Sequence, residues 1–114
     1  MIETLQQIEA STLHDKMKSD ARPVLINVLS NESYVAKHIP GSINIPQEEI
    51  ELVEKVVPDK EQDIVVYCAN ADCKASPKAA EALLEMGYSR VWDFETGLAG
   101  WKQAGYILVG QDTG

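Results

Sequence analysis

The sequence predicts an α/β fold in which a mainly parallel β-sheet is covered by helices on both faces. Short apolar runs rich in β-branched residues alternate along the chain with segments whose apolar residues recur at helical spacing. Strands that alternate with helices are typical of parallel sheets, because the chain must cross back over the sheet between strands. The 114 residues suit one compact domain, which we expect to span residues 1–114.

Three segments are predicted to be strands. Residues 23–29, "PVLINVL", form an almost continuous apolar run, as expected for a strand that is buried on both faces. Residues 63–68, "DIVVYC", and residues 90–94, "RVWDF", are shorter runs of the same kind. Ligand sites in parallel sheets lie outside the carboxyl ends of the strands. The second run ends on Cys68, which therefore lies at the predicted functional edge.

The segments between these runs carry start and stop signals of helices. Residues 46–57 open with a proline, which is favoured in a first helical turn, and repeat apolar residues at helical spacing. Residues 76–87 have Ser76 as the predicted N-cap and Gly87 as the stop. A last short helix is predicted to end at Gly105. The helices thus follow the predicted strands in alternation.

Composition and charge limit the function classes. The formal net charge is −8, from 18 acidic and 10 basic residues, which argues against nucleic acid or an anionic membrane as partner. No apolar stretch approaches the roughly 20 residues that span a bilayer, and the N-terminal stretch lacks the basic start and apolar core of a secretion signal. We therefore expect a cytoplasmic protein with reduced thiols. With two cysteines and two histidines in the whole chain, a four-ligand zinc site would need both pairs together, so no metal site is predicted. No cofactor is expected either.

Cys68 is the candidate nucleophile. A loop that runs from a strand end to a helix start presents backbone N–H groups and the positive end of the helix dipole. A thiol in that position has its thiolate stabilised and becomes nucleophilic near neutral pH. The alternative is a packed, inert thiol, because free cysteine also behaves as a small hydrophobic residue.

Three stretches of the sequence together resemble the signatures of rhodanese domains. They are "ESYVAKHIPGSINIP", the central "VVYCANADCKASPKAAEALLEMGY" and the C-terminal "GLAGWKQAGY". They occur in the order and at the spacing typical of that family and cover nearly the whole chain. The resemblance implies a single-domain, three-layer α/β sandwich around a parallel sheet of about five strands.

The resemblance also implies a sulfurtransferase. Cys68 would take a sulfane sulfur from thiosulfate, a persulfide or a polysulfide, and would pass it to a thiol or to cyanide. The expected partners are a small sulfur donor and a thiol acceptor, such as a thioredoxin-like or other protein thiol. The implied substrate-binding loop follows Cys68 and consists of Ala69, Asn70, Ala71, Asp72, Lys74, Ala75 and Ser76.

The chain departs from the family pattern in the loop itself. The usual loop, C-R-x-G-x-R-S, has two arginines, whereas this loop is two residues longer, has Lys74 as its one cation and offsets it with Asp72. Lysine cannot offer the bidentate fork of arginine, so a persulfide or polysulfide donor is favoured over thiosulfate. The phosphatases of this fold also require an arginine six residues after the cysteine, so phosphoryl transfer is disfavoured. Upstream, Asn27 stands where the family often has an aspartate, and Thr96 replaces a glycine.

Cys73 is either incidental or a resolving thiol. As a resolving thiol it would attack the Cys68 persulfide, release hydrosulfide and leave a Cys68–Cys73 disulfide, which requires Cα atoms within roughly 7 Å of each other. Two alternatives to the sulfurtransferase therefore stay open. One is a non-catalytic rhodanese-like module that binds a partner or senses redox state, and the other is a dithiol oxidoreductase that uses both cysteines.

Overall fold

The computed structural model describes residues 6–111 and contains the predicted parallel sheet. It has five strands in the spatial order β1-β5-β4-β2-β3, and every neighbouring pair is parallel. The α/β class and the strand number are thus confirmed. The strands are β1 (Gln6–Gln7), β2 (Val24–Asn27), β3 (Ile43–Asn44), β4 (Ile64–Tyr67) and β5 (Val91–Phe94).

Helices cover both faces of this sheet. One apolar cluster joins β4 to the helices α3 and α4, and a second joins the opposite face of β4 to α1 and α5. The chain is therefore a three-layer sandwich. The helices are α1 (Ala10–Met17), α2 (Asn31–Ala36), a 3₁₀ helix (Gln47–Leu52), α3 (Val53–Val56), α4 (Ala75–Glu85) and α5 (Gly97–Gln103).

The central strand β4 decides which way the candidate nucleophile points. All four of its residues are buried, as its unbroken apolar sequence predicts. Side chains alternate between the faces of a strand, so Val66 and Cys68 pack with the α4 cluster, while Val65 and Tyr67 pack with the α1 and α5 cluster. The Cys68 side chain consequently lies beneath the start of α4.

Two predicted helix starts were wrong in detail. Residues 46–57 do not form one α-helix: a 3₁₀ helix precedes α3, and the backbone of Glu49 is non-helical at φ −116° and ψ 22°. Ser76 is not the N-cap of α4, because the helix begins at Ala75 and Lys74 precedes it. Ser76 is instead buried inside the first turn, where its hydroxyl group has interior partners. The predicted stop at Gly87 is confirmed, since its φ of +101° ends the helix.

Two expectations concern residues outside the described range of 6–111. The N-terminal stretch considered as a secretion signal falls partly outside residues 6–111. Within that range, no helix combines the length and the apolar character that a bilayer span requires. The cytoplasmic location stays a prediction, as does the extension of the domain over residues 1–114.

Candidate active site

Cys68 directly follows β4, at the carboxyl end of the sheet. Its side chain is 0% exposed, and its Sγ lies 3.5 Å from the hydroxyl oxygen of Ser76 in the first turn of α4. The first N–H groups of a helix have no acceptor within the helix, and they carry the positive end of its dipole. The sulfur is therefore held next to a helix end that favours negative charge.

Cys73 lies against Cys68, and the two residues form a disulfide with a Cα–Cα distance of 6.4 Å. The loop between them closes on itself. Asn70 accepts a hydrogen bond from the backbone N–H of Asp72 through its Oδ1 atom (3.0 Å) and from the backbone N–H of Cys73 through its carbonyl (3.1 Å). These two bonds turn the chain back toward the end of β4.

The same hydrogen bonds concern the predicted substrate-binding loop, whose role stays a prediction. The N–H groups of Asp72 and Cys73 are used inside the turn, so they are not free to cradle an anion. Asn70 shapes the loop through its side chain. Ala75 and Ser76 belong to helix α4 rather than to the loop. Their N–H groups lie in its first turn, where a helix leaves N–H groups without an internal acceptor.

Helix α5 holds the loop from behind. The N–H of Leu98 donates to the carbonyl of Cys68, and that of Ala99 donates to the carbonyl of Ala69, both at 3.0 Å. Gly97 makes this approach possible, because its φ is +57° and a Cβ atom there would lie 2.0 Å from the Cys68 carbonyl oxygen. The backbone of the candidate nucleophile is therefore fixed by contacts that leave its side chain on the other face of the sheet.

A buried polar cluster orders the neighbouring segment at this edge. The hydroxyl group of Tyr67 accepts hydrogen bonds from Asn27 Nδ2 (3.1 Å) and from the Ile39 N–H (3.0 Å), and it lies 2.8 Å from Ser42 Oγ. Asn27 also accepts from the Leu29 N–H at 2.9 Å. Asn27, which stands where the family often has an aspartate, thus supplies an ordering contact as a neutral donor and acceptor.

A second buried polar group was not predicted. Asp93 lies in β5 and is 1% exposed, and its carboxyl group hydrogen bonds with Ser76. Burial raises the pKa of Asp93, the Ser76 hydrogen bond lowers it, and the charge of Glu95 raises it further. The signal in the sequence was the single acidic residue inside the apolar run "RVWDF".

Arginine is absent from this end of the sheet. The chain has two arginines, Arg22 and Arg90, and both precede strands, so they lie at the amino edge. Arg90 pairs there with Asp63. Lys74 is exposed on the loop. No group of three or more metal-binding side chains gathers anywhere within residues 6–111.

A cleft of about 390 Å³ adjoins the loop on its other side. Ala69, Leu29 and Leu98 are among the residues that line it, and Lys37 and Lys102 contribute cationic side chains. The cleft therefore combines apolar surface with positive charge next to the residue that follows Cys68.

Comparison with known proteins assigns the chain to a family. The family model described as "Rhodanese-like domain" matches residues 9–104 of the chain. The chain therefore belongs to the rhodanese-like domain family, as the three sequence motifs indicate.

Individual relatives agree with this assignment. The chain is 45% identical over 67 residues to thiosulfate sulfurtransferase PspE of Escherichia coli (strain K12), a match that covers 58% of this chain and 62% of that protein. It spans less than two thirds of the length of the first curated relatives that it matches. Among solved structures, a rhodanese-related protein from Thermoplasma volcanium superposes with a TM-score of 0.77 at 26% identity, over 93% of this chain and 99% of the other. A structure described as rhodanese with anions, from E. coli, gives 0.65 at 36% identity, over 78% and 99%.

Proposed function

We propose that the protein is a sulfurtransferase that carries a sulfane sulfur as a persulfide on Cys68. One observation carries the proposal: the Cys68 sulfur sits at the carboxyl end of the central strand, beside the first turn of the eleven-residue helix α4. A helix start stabilises a thiolate and an anionic persulfide in the same way, through N–H groups and the helix dipole. Relatives named thiosulfate sulfurtransferase support the reaction class.

The first half-reaction loads the sulfur. The Cys68 thiolate attacks the outer sulfur of the donor, a new S–S bond forms, and the bond between the outer sulfur and the rest of the donor breaks. With thiosulfate as the donor, the leaving group is sulfite. With an organic persulfide, the leaving group is the corresponding thiol. The second half-reaction transfers the sulfur, because an acceptor thiolate or cyanide attacks the outer sulfur and Cys68 departs as a thiolate.

Reduced protein is the active form in this proposal. Cys68 is 0% exposed and is bonded to Cys73, so neither its sulfur atom nor its charge is available to a donor in that state. Reduction frees the thiol, and an exposed loop can then move away from it. The protein is therefore reduced before every assay, and the reductant is then removed because its thiol would accept the sulfur.

The charges of the site favour a persulfide or polysulfide donor over thiosulfate. The loop has no arginine to bind a sulfonate group in bidentate fashion, and exposed Asp72 opposes exposed Lys74. An organic persulfide or a polysulfide has no sulfonate group that needs such a contact. We expect turnover with such a donor to exceed turnover with thiosulfate by about tenfold.

Turnover to cyanide tests the proposal, with thiocyanate as the measured product. Each donor is assayed with reduced protein and with two matched cysteine variants. We expect Cys68→Ser to lose at least about a thousandfold in activity, because the variant lacks the thiol beside the start of α4. Cys73→Ser should keep transfer to cyanide. If Cys68→Ser retains activity, or if the unmodified protein is inactive with every donor, the proposal is wrong and a non-catalytic binding module is favoured.

The Cys68–Cys73 contact favours a second candidate function, the release of hydrosulfide. The Cys73 thiol would attack the inner sulfur of the Cys68 persulfide, so that hydrosulfide leaves and a disulfide remains. The Cα–Cα distance of 6.4 Å supports this reaction. A dithiol reductant, itself oxidised to a disulfide, would then restore both thiols.

Hydrosulfide release separates the two functions. Reduced protein is loaded with polysulfide, freed of excess donor and left without an acceptor. If Cys73 resolves the persulfide, the unmodified protein releases one equivalent of hydrosulfide and Cys73→Ser retains the bound sulfur. If both proteins retain it equally, Cys73 has no part in the chemistry.

A further inference from the structure

Behind Cys68, on the face that α4 covers, lies a buried carboxyl group that the proposed reaction leaves unused. Asp93 is 1% exposed and occupies β5 opposite Val66, two residues before Cys68. Its Oδ1 atom is buried without a hydrogen-bond partner among the described residues. Burying a carboxylate with an unpaired oxygen costs free energy, so the position calls for a functional explanation.

The hydroxyl group of Ser76 connects this carboxyl group to the sulfur. It lies close enough to the Asp93 carboxyl group to lower the pKa of that group, and its Oγ lies 3.5 Å from Cys68 Sγ. A serine hydroxyl can accept one hydrogen bond while it donates another. Ser76 can therefore accept from the reduced thiol and donate to the carboxylate at the same time, which makes a continuous path for a proton.

The surroundings raise the proton affinity of the Asp93 carboxyl group. Burial raises the pKa of Asp93, the Ser76 hydrogen bond opposes that rise, and the exposed Glu95 adds to it. The neighbouring strands β1 and β4 have no charged residues within their ranges. The charged residues nearest the start of α4, Lys74 and Lys78, are exposed. Asp93 is thus better suited than a solvated aspartate to accept a proton near neutral pH.

We propose that Asp93 exchanges a proton with Cys68 through the hydroxyl group of Ser76 during sulfur transfer. The proposal rests on the proposed function and assigns Asp93 a positioning role, because it acts through Ser76. With a persulfide donor, the Cys68 thiol passes its proton to Ser76 as the sulfur attacks, and Ser76 passes its own proton to the Asp93 carboxylate. The donor, a persulfide anion, leaves as a thiolate, Cys68 becomes an anionic persulfide, and Asp93 becomes neutral.

The second half-reaction reverses the proton movement. An acceptor thiolate attacks the outer sulfur of the Cys68 persulfide, and the S–S bond breaks. The departing Cys68 thiolate then regains a proton from Ser76, which is replenished from Asp93. Charge and atoms balance in each half-reaction, and neither one needs an oxidant or a reductant. The buried carboxyl group therefore holds the proton that Cys68 cannot keep while it bonds to a second sulfur.

Two readouts on the Asp93→Asn variant test the proposal, both in reduced protein that carries Cys73→Ser. The first is the pH dependence of Cys68 alkylation by iodoacetamide. Removing the anionic neighbour should move the alkylation midpoint to lower pH, with about tenfold more thiolate on the acid side. The second is persulfide-to-cyanide turnover, which should fall at least about tenfold because the proton acceptor is lost.

The thiolate fraction should rise while turnover falls, and these opposite directions distinguish a role of Asp93 in proton transfer from a purely structural role. If turnover rises together with the thiolate fraction, Asp93 merely suppresses the thiolate and the proposal is wrong. If neither readout changes, the path does not operate. Glu95→Gln is the matched control, since it removes an exposed charge from the same segment, and both of its readouts should stay within about twofold.

Ser76→Ala supplies a second test that keeps the carboxyl group. It should reduce turnover about as much as Asp93→Asn, and the double variant should lose little more, because both changes interrupt one path. Unchanged turnover in Ser76→Ala would overturn the proposal even if Asp93→Asn failed to fold. An inactive Cys73→Ser parent would contradict the proposed function, whereas an unshifted alkylation midpoint would contradict the coupling of Asp93 to Cys68.

Discussion

Two buried polar clusters lie on opposite faces of the sheet near the carboxyl end of β4, and they differ in how well their hydrogen bonds are satisfied. Around Tyr67, the phenolic oxygen has three polar contacts, and Ser42 also donates to the Ile39 carbonyl at 2.7 Å. Around Asp93, one carboxyl oxygen has no hydrogen-bond partner within residues 6–111, although the group is 1% exposed. Tyr67, the last residue of β4, thus belongs to the satisfied cluster, whereas Cys68, the next residue, faces the unsatisfied one.

The difference separates structural from chemical demands. A fully satisfied buried network rigidifies the segment it joins, and here it ties β2 and β4 to the turn before β3. An unsatisfied buried carboxyl group destabilises the fold, so it persists where its proton affinity is useful. We therefore expect changes around Tyr67 to affect stability and changes around Asp93 to affect sulfur transfer.

Tyr67→Phe should break the satisfied cluster and have the largest effect on stability. It removes the hydroxyl group and leaves the buried donors of Asn27 and Ile39 unpaired, which should lower the free energy of unfolding by about 3 kcal/mol. Urea unfolding measures this loss. Turnover per folded molecule should stay within about threefold, since Cys68 lies on the opposite face. A loss of turnover without a loss of stability would contradict the division between the clusters.

Ser42→Ala should have a smaller effect of the same kind. It removes one of three polar contacts of Tyr67 and the donor to the Ile39 carbonyl, while the Asn27 contact remains. We expect a loss of about 1 kcal/mol in the free energy of unfolding. Equal losses in Ser42→Ala and Tyr67→Phe would show that Ser42 alone holds the cluster together.

Asp93→Asn should increase the free energy of unfolding, and it should do so only above acidic pH. Because burial raises the pKa of Asp93 above 3.8, the folded protein binds this proton more tightly than the unfolded chain does. The stabilisation is complete below the ordinary pKa and is lost as the pH rises through the folded-state pKa. The variant lacks this loss, so it should match the unmodified protein at about pH 3 and exceed it by up to about 1 kcal/mol at pH 7. Unfolding curves at both pH values test this sign, and a variant that is less stable at pH 7 would contradict it.

The sequence predicted those features that depend on local pattern. The parallel sheet and the position of Cys68 followed from apolar runs, and the Cys68–Cys73 distance lay within the predicted limit. Ser76 was wrongly assigned as an N-cap, because capping is inferred from neighbours in the sequence. Its interior partners come from β4 and from β5, and only the spatial order of the strands brings those together.

Asp93 was missed for the same reason. A charged residue inside an apolar run reads as an exposed position on one face of a strand, and nothing local says that α4 covers that face. The 3₁₀ turn before α3 was also missed, because apolar residues spaced by three fit either kind of helix. Asn27 shows the reverse case, in which a departure from the family pattern retains an ordering contact through different atoms.

The central claim is tested most directly by intact-mass measurement of reduced Cys73→Ser protein after incubation with polysulfide. Peptide mapping locates any adduct. The control is Cys68→Ser in the same Cys73→Ser background. We predict that one sulfur atom is added and maps to Cys68, that the adduct disappears when cyanide is supplied, and that the Cys68→Ser control gains none. An unchanged mass in the parent protein, or an adduct that persists in the control, would contradict the claim that Cys68 carries the sulfur.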